Sequence, residues 1–253
     1  NLENSKTQAE QKKEELLALK SKLVDQKAVL EVTKKEKNKL LADTKNTEAN
    51  YKKQLAAKKA LSEAFDKELL KFESELKMIV DSSSYPLYSK GILNWPLDSI
   101  RITQVFGDTE FSRTTNAYDG NGHNGVDFAA SIGTPVKAVL DGTVVGSGDT
   151  DAVCYGASFG KWVLIQHNNG LSTLYAHLSL IKVRAGDRVF SGSVLGYSGN
   201  TGYSTGPHLH FTVYATQGVK IMSRKSTVCK GTYTMPVADL KAYLNPLLYL
   251  PNL

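Results

Sequence analysis

The residues best suited to chemistry lie in the stretch Gly199 to Tyr214, GNTGYSTGPHLHFTVY, where His208 and His210 stand two apart. Side chains alternate faces along a strand, so the two imidazoles share one face while Leu209, Phe211 and Val213 share the other. The glycines and Pro207 ahead of them interrupt regular structure, which places both histidines at the exposed start of the strand. Some eighty residues upstream, HNGVDF sets His123 and Asp127 four apart. Imidazole nitrogen plus carboxylate oxygen is a donor set that suits zinc, and three protein ligands with one open position is the catalytic arrangement. His177, in LSTLYAHLSL, is a further candidate.

HNGVDF, LYAHLS and GNTGYSTGPHLHF, in that order between Trp95 and about Tyr214, resemble the lysostaphin-type (LytM-type) zinc metallopeptidases that cut peptidoglycan cross-bridges. WPLDSIRITQVFG is similar to the way this family begins its domain. The resemblance implies that His123, Asp127 and His210 are the zinc ligands and that His177 and His208 are the two non-ligand catalytic histidines. It also implies a compact antiparallel β fold with the zinc in a groove. One of the two catalytic imidazoles would take the proton of water and return it to the leaving amine, and the other would hydrogen-bond the oxyanion. Which does which stays open, and no HExxH glutamate is present to act as base. His167 is expected to be structural or exposed, and Tyr203 with Asn116 or Asp119 to line the groove.

The elements that must position these groups are unevenly distributed. Residues 1–81 hold no Gly and no Pro, whereas the 20 glycines begin at Gly91 and the seven prolines at Pro86. The fold class is therefore α+β multidomain: a coiled-coil helical arm (1–81), a linker (82–94), and an antiparallel β-rich LytM-type domain with a C-terminal extension (95–253). In the arm, Leu16, Leu23 and Leu30 repeat every seven, and Tyr51, Leu55, Phe65, Leu69, Phe72, Leu76 and Ile79 step by threes and fours. A continuous helix of that length would reach on the order of 120 Å, and the polar interval DTKNTEAN (Asp43–Asn50), which lacks a clear hairpin signal, favours continuity. The seam needs a partner, expected to be a second coiled-coil chain or a first helix outside this sequence, and the arm is also a candidate to bind a membrane complex of the division-transporter type.

Beyond Trp95, short alternating runs separated by glycine turns predict many strands, with Asn168-Asn169-Gly170 closing a hairpin. Strict alternation places Thr173, Tyr175 and His177 on one face. After Tyr214 the chain predicts a cysteine-bearing loop and a short terminal helix, with Asp239 inside it and Pro246 near its end. Cys154 and Cys229 lie in no CxxC pattern, and a disulfide between them, which requires an oxidising compartment, is the expected pairing.

The net charge of +6 is modest and spread over both halves, and the arm carries no Arg, which counts against nucleic acid. No run approaches the length of a membrane span and no signal segment opens the chain, so the expectation is a piece of a longer extracytoplasmic protein whose signal or anchor is missing. Two other functions compete with hydrolysis of peptidoglycan stem-peptide or cross-bridge bonds. EnvC-like cell-division factors, a coil followed by a LytM-type domain, often lack the zinc ligands and activate amidases. RAGDRVFSGSVLGYSGNTG is similar to a biotinyl- or lipoyl-carrier sheet but has no lysine at a hairpin tip. The short linker predicts that the arm covers the zinc groove in the resting state.

Overall fold

The computed structural model describes residues 2–44, 47–76, 88–115 and 122–253. The chain divides into two units, Asn1–Asn46 and Thr47–Leu253. The first is a single helix, α1 (Leu2–Thr44), on which Leu16, Leu23 and Leu30 are all about two-thirds exposed. Helical continuity is not observed. A second helix, α2 (Glu48–Glu75), starts afresh at Thr47, whose extended backbone and side chain cap the Asn50 amide. The polar interval is thus a helix boundary, and a threonine supplies the cap where glycine or asparagine was sought.

The second unit is α2 plus a β domain whose strand pairings among the described residues are all antiparallel. Its sheet contains β1 (Ile102–Gln104), β2 (Val126–Ala129), β3 (Pro135–Lys137), β4 (Gly142–Asp149), β5 (Lys161–His167), β6 (Leu171–Ile181), β7 (Arg188–Val189), β8 (Val194–Ser198) and β9 (His208–Ala215). The main path runs β1-β2-β9-β6-β5-β4-β7, with β8 branching from β6 to pair β3. Asn168-Asn169-Gly170 does join β5 to β6 as a hairpin, with Gly170 at φ +81° where a side chain would be strained.

The segment after Tyr214 forms a separate hairpin, β10 (Val219–Lys225) with β11 (Thr232–Ala238), and not a loop plus helix. A short strand β12 (Tyr243–Leu244) then pairs with β9. Asp239 and Asn245 each cap a single 3₁₀ turn, and Pro246 opens the second of them. A proline at the first helical position needs no amide partner, but each of these turns ends after three residues, too short for an α-helix. Cys154, between β4 and β5, is bonded to Cys229 at the turn of the new hairpin, with Cα atoms 5.5 Å apart.

The apolar stripe of α2 is seated on this domain. Phe65 is fully buried with its ring 4.9 Å from Tyr233, and Leu69, Phe72 and Leu76 pack against the same core. Arg224 lies over the Phe72 ring and Lys58 over the Tyr155 ring, both within 4.0 Å of the centroid. The three-and-four spacing therefore meets a sheet edge and hairpin, where the sequence pointed to another helix. Of the interval 82–94 expected to be linker, residues 82–87 lie outside the described residues. Gly91, Leu93 and Asn94 already bond into the domain through Leu250, Tyr249 and Val139 carbonyls, and Leu93 is fully buried. No helix among the described residues is long and apolar enough to cross a membrane.

Candidate active site

Strand register brings the acid and one histidine together. β2 pairs with β9 so that Asp127 faces His210 and Ala129 faces His208. Leu209, Phe211 and Val213, on the opposite face of β9, are completely buried, which leaves the histidine face toward the groove. His123 reaches the same spot from the approach to β2, where its backbone makes both hydrogen bonds of a bridge to Gly107. The turn between them must come close to β9. A Cβ at Gly125 would sit 2.6 Å from the Phe211 carbonyl and 2.7 Å from the His210 ring.

His123, Asp127 and His210 are all buried, and their ligand atoms lie within 4.8 Å of one another. His210 Nδ1 is 2.9 Å from Asp127 Oδ1, His123 Nε2 is 3.3 Å from the same oxygen, and the two nitrogens are 3.1 Å apart. Their outer nitrogens have other partners: His123 Nδ1 lies 3.0 Å from the Val105 carbonyl and His210 Nε2 2.9 Å from Thr212 Oγ1. A carbonyl only accepts, so the His123 proton sits on Nδ1 and its Nε2 lone pair is directed inward. With the His210 proton on Nε2 toward Thr212, three lone-pair groups converge with no donor among them. That donor set fits a metal cation.

His177 arrives by a different route from the one predicted. Tyr175 on β6 pairs with Phe211, and Ala176 pairs with His210, so strict alternation would send His177 to the core face with Phe211. Instead the β5–β6 register shifts there, and His177 takes a left-handed backbone at φ +61°. This bulge turns the imidazole back into the groove, 4.6 Å from the His208 ring and 5.7 Å from the His210 ring. Its Nδ1 donates to the Thr201 carbonyl at 2.8 Å. His208 Nδ1 donates to the Gly206 carbonyl at 2.7 Å, and its Nε2 is 3.7 Å from Asp127 Oδ1. Burial, then the neighbouring His208 and His210, keep His177 neutral well below its ordinary pKa.

Two cavities meet over this cluster. One of about 350 Å³ is bordered by Arg101, Thr103, Thr205 and Pro207, and the other of about 200 Å³ by Phe106, Asn124, Ser158 and Phe159. Tyr203, His177 and His210 line both. The second cavity is walled on one side by α2, which contributes Asp66, Leu69, Leu70 and Glu73. The sequence reading placed the arm over the groove but named none of these four as lining residues, since it assigned Leu69 and its neighbours to a coiled-coil seam. Asn116 and Asp119 lie outside the described residues. His167 is buried and structural, bonded to the Asp141 carbonyl and Thr173 Oγ1.

Two buried imidazoles and a carboxylate converging at a groove floor, with two further histidines alongside, have the layout of a metal-dependent hydrolase. Residues 121–222 match the sequence profile of peptidase family M23, and the chain carries a LytM-type domain of that family. It is 38% identical over 164 residues to an uncharacterised metalloprotease of Buchnera aphidicola, covering 64% of this chain and 39% of that protein. It is 48% identical over 89 residues to the peptidoglycan DD-endopeptidase ShyA of Vibrio cholerae, covering 35% of this chain and 19% of that protein. The catalytic domain of lysostaphin from Staphylococcus simulans superposes with a TM-score of 0.42 at 30% identity, over 58% of this chain and 90% of that one. The chain thus spans less than two-fifths of the length of either of these two curated relatives.

Proposed function

We propose that this chain is an extracytoplasmic zinc endopeptidase that hydrolyses peptide cross-links of bacterial peptidoglycan, and that its helical arm regulates it. The convergence of His123 Nε2, His210 Nδ1 and Asp127 Oδ1 on one point carries the reading, since it supplies three ligands and leaves a side open to the groove. Zinc held there would act as Lewis acid toward the scissile carbonyl and make water nucleophilic near neutral pH. The chain's own histidines handle the protons. With Nδ1 of His177 and of His208 committed to backbone carbonyls, each ring presents Nε2 to the groove. One takes a proton from the attacking water and delivers it to the leaving amine, while the ring that carries a proton on Nε2 donates to the oxyanion.

The Cys154–Cys229 bond suits an oxidising compartment, and the M23 relatives include a peptidoglycan endopeptidase. Regulation rests on α2. Glu73 is buried with Oε1 accepting from the Ala238 amide and the Tyr243 hydroxyl, and Glu68 accepts from the amides and hydroxyls of residues 226–228. With these contacts made, α2 walls the cavity beside His123 and His210, and in this reading a substrate strand needs that space. The exposed seam of α1 offers a second coiled-coil chain, or a membrane complex, a handle on the arm.

Digestion of purified peptidoglycan by the wild-type chain and by a variant with α2 loosened, followed by mass spectrometry of released fragments, tests the activity. New peptide amine ends in both digests, more in the loosened variant, are expected. Release that occurs only when a separate amidase is added would replace the enzyme reading with the activator one.

A further inference from the structure

We propose that Asp151, in the disulfide-tied segment between β4 and β5, is a positioning residue for His177 that acts through a single peptide bond. Asp151 Oδ2 accepts the Gly202 amide at 2.9 Å. The carbonyl of that same peptide unit belongs to Thr201, and it accepts His177 Nδ1–H at 2.8 Å. A peptide unit is planar and stiff, so a carboxylate fixing its N–H end also fixes the direction of its C=O end. A charged acceptor at one end polarises the unit and strengthens the acceptor at the other. The result is a carboxylate–histidine pairing with a peptide plane inserted between the partners. It keeps the proton on Nδ1, stops the ring from turning, and leaves Nε2 as the atom shown to the groove.

Three features make this more than a loop contact. First, Asp151 uses both oxygens as acceptors, with Oδ1 taking the Gly156 amide at 2.6 Å. Only an ionised carboxylate accepts from both backbone donors without conflict, because an asparagine would turn an N–H₂ toward one of them. Second, the two segments touch backbone to backbone: a Cβ at Gly202 would lie 2.2 Å from Gly160 N and 2.3 Å from the Ser158 carbonyl. Thr201 is stitched in as well, its hydroxyl donating to the Leu178 carbonyl at 2.9 Å and accepting the Lys161 amide at 3.0 Å. Third, His177 holds a left-handed backbone that its surroundings must over-determine, and the Thr201 carbonyl is part of that hold.

The inference rests on His177 as a proton-handling residue, so its test includes a measurement independent of cleavage. In the full chain with ¹⁵N-labelled histidine, long-range ¹H–¹⁵N NMR reports which ring nitrogen of His177 carries the proton. Wild type should show Nδ1–H only; Asp151→Asn should show mixed or exchange-broadened tautomers, and Asp151→Glu, which keeps the charge, should recover much of the wild-type signal. On peptidoglycan, D151N should lower kcat about tenfold or more, the range for partners that orient an active imidazole, with KM and bound zinc unchanged. A D151N protein with the wild-type tautomer and kcat within twofold would overturn the proposal. So would a loss of activity that tracks lost metal or lost folded protein while the His177 signal persists. If wild type cleaves nothing, the NMR comparison still decides the positioning role while the hydrolase reading fails separately.

Discussion

Replacing Phe65 by Ala should activate the enzyme, although it removes a fully buried aromatic ring. Phe65 is on α2, has no exposed surface and contacts the Tyr233 ring edge-on at 4.9 Å. Truncating a buried Phe to Ala costs about 3–5 kcal/mol, and the loss falls on the seating of α2 against the hairpin β10–β11. At about 1.4 kcal/mol per tenfold, even the lower figure moves the docked-to-released ratio by more than ~100. If the released form is the one that admits substrate, cleavage rises by up to that factor, levelling off once release is nearly complete. The assay is dye release from labelled peptidoglycan at a temperature where the β domain stays folded, with limited proteolysis of α2 reporting release. Leu164→Ala, in the buried centre of β5, is the control: about 2–5 kcal/mol is lost there too, with no gain in rate. A Phe65→Ala protein whose α2 becomes protease-sensitive while its rate stays flat or falls would refute the occlusion argument.

Release should also respond to pH. Burial pushes the carboxyls of Asp66 and Glu73 up to about 7, so the docked state binds their protons more tightly than the released state does. Docking is then fully supported below the ordinary carboxylate pKa and weakens as pH rises through about 7; proteolysis of α2 should accelerate over that window, and Glu73→Gln, which leaves Asp66 titrating, should reduce the response. Gly125→Ala should lower zinc affinity by roughly 10–100-fold, because the added methyl meets the His210 ring; calorimetric titration checks it, and unchanged affinity would show the turn can yield. Paired Cys154→Ser and Cys229→Ser substitutions open a closure of 75 residues, worth about 4 kcal/mol in the chain-entropy account, and should lower the thermal midpoint and loosen α2 together; a midpoint within a degree of wild type would contradict this.

Much of the site was legible because it is written in strand periodicity. His208 and His210 two apart are enough to predict one shared face, whereas the assignment of His123 and Asp127 to the same centre rests on the resemblance to the LytM-type family. His177 shows where periodicity stops: its bulge depends on the pairing of β5 with β6, a tertiary fact with no local signature beyond the LYAHLS motif itself. The stripe on α2 was legible as apolar but not as to its partner, since a sheet edge and a helix both accept residues spaced by threes and fours. The terminal helix was misread because Asp239 and Pro246 look like helix signals when the 3₁₀ turns they serve are only three residues long, and the segment that forms the hairpin β10–β11 was read as a loop around Cys229. Asp151 carried no signal at all, as its importance lies in which peptide bond it touches.

Metal analysis of the wild-type chain beside His210→Ala tests the central claim most directly, because it needs no substrate and is indifferent to the position of α2. One zinc per wild-type chain, lost in the variant, is the predicted result. Equal zinc in the two proteins, or none in wild type after dialysis against micromolar zinc, would contradict a centre built from His123, Asp127 and His210.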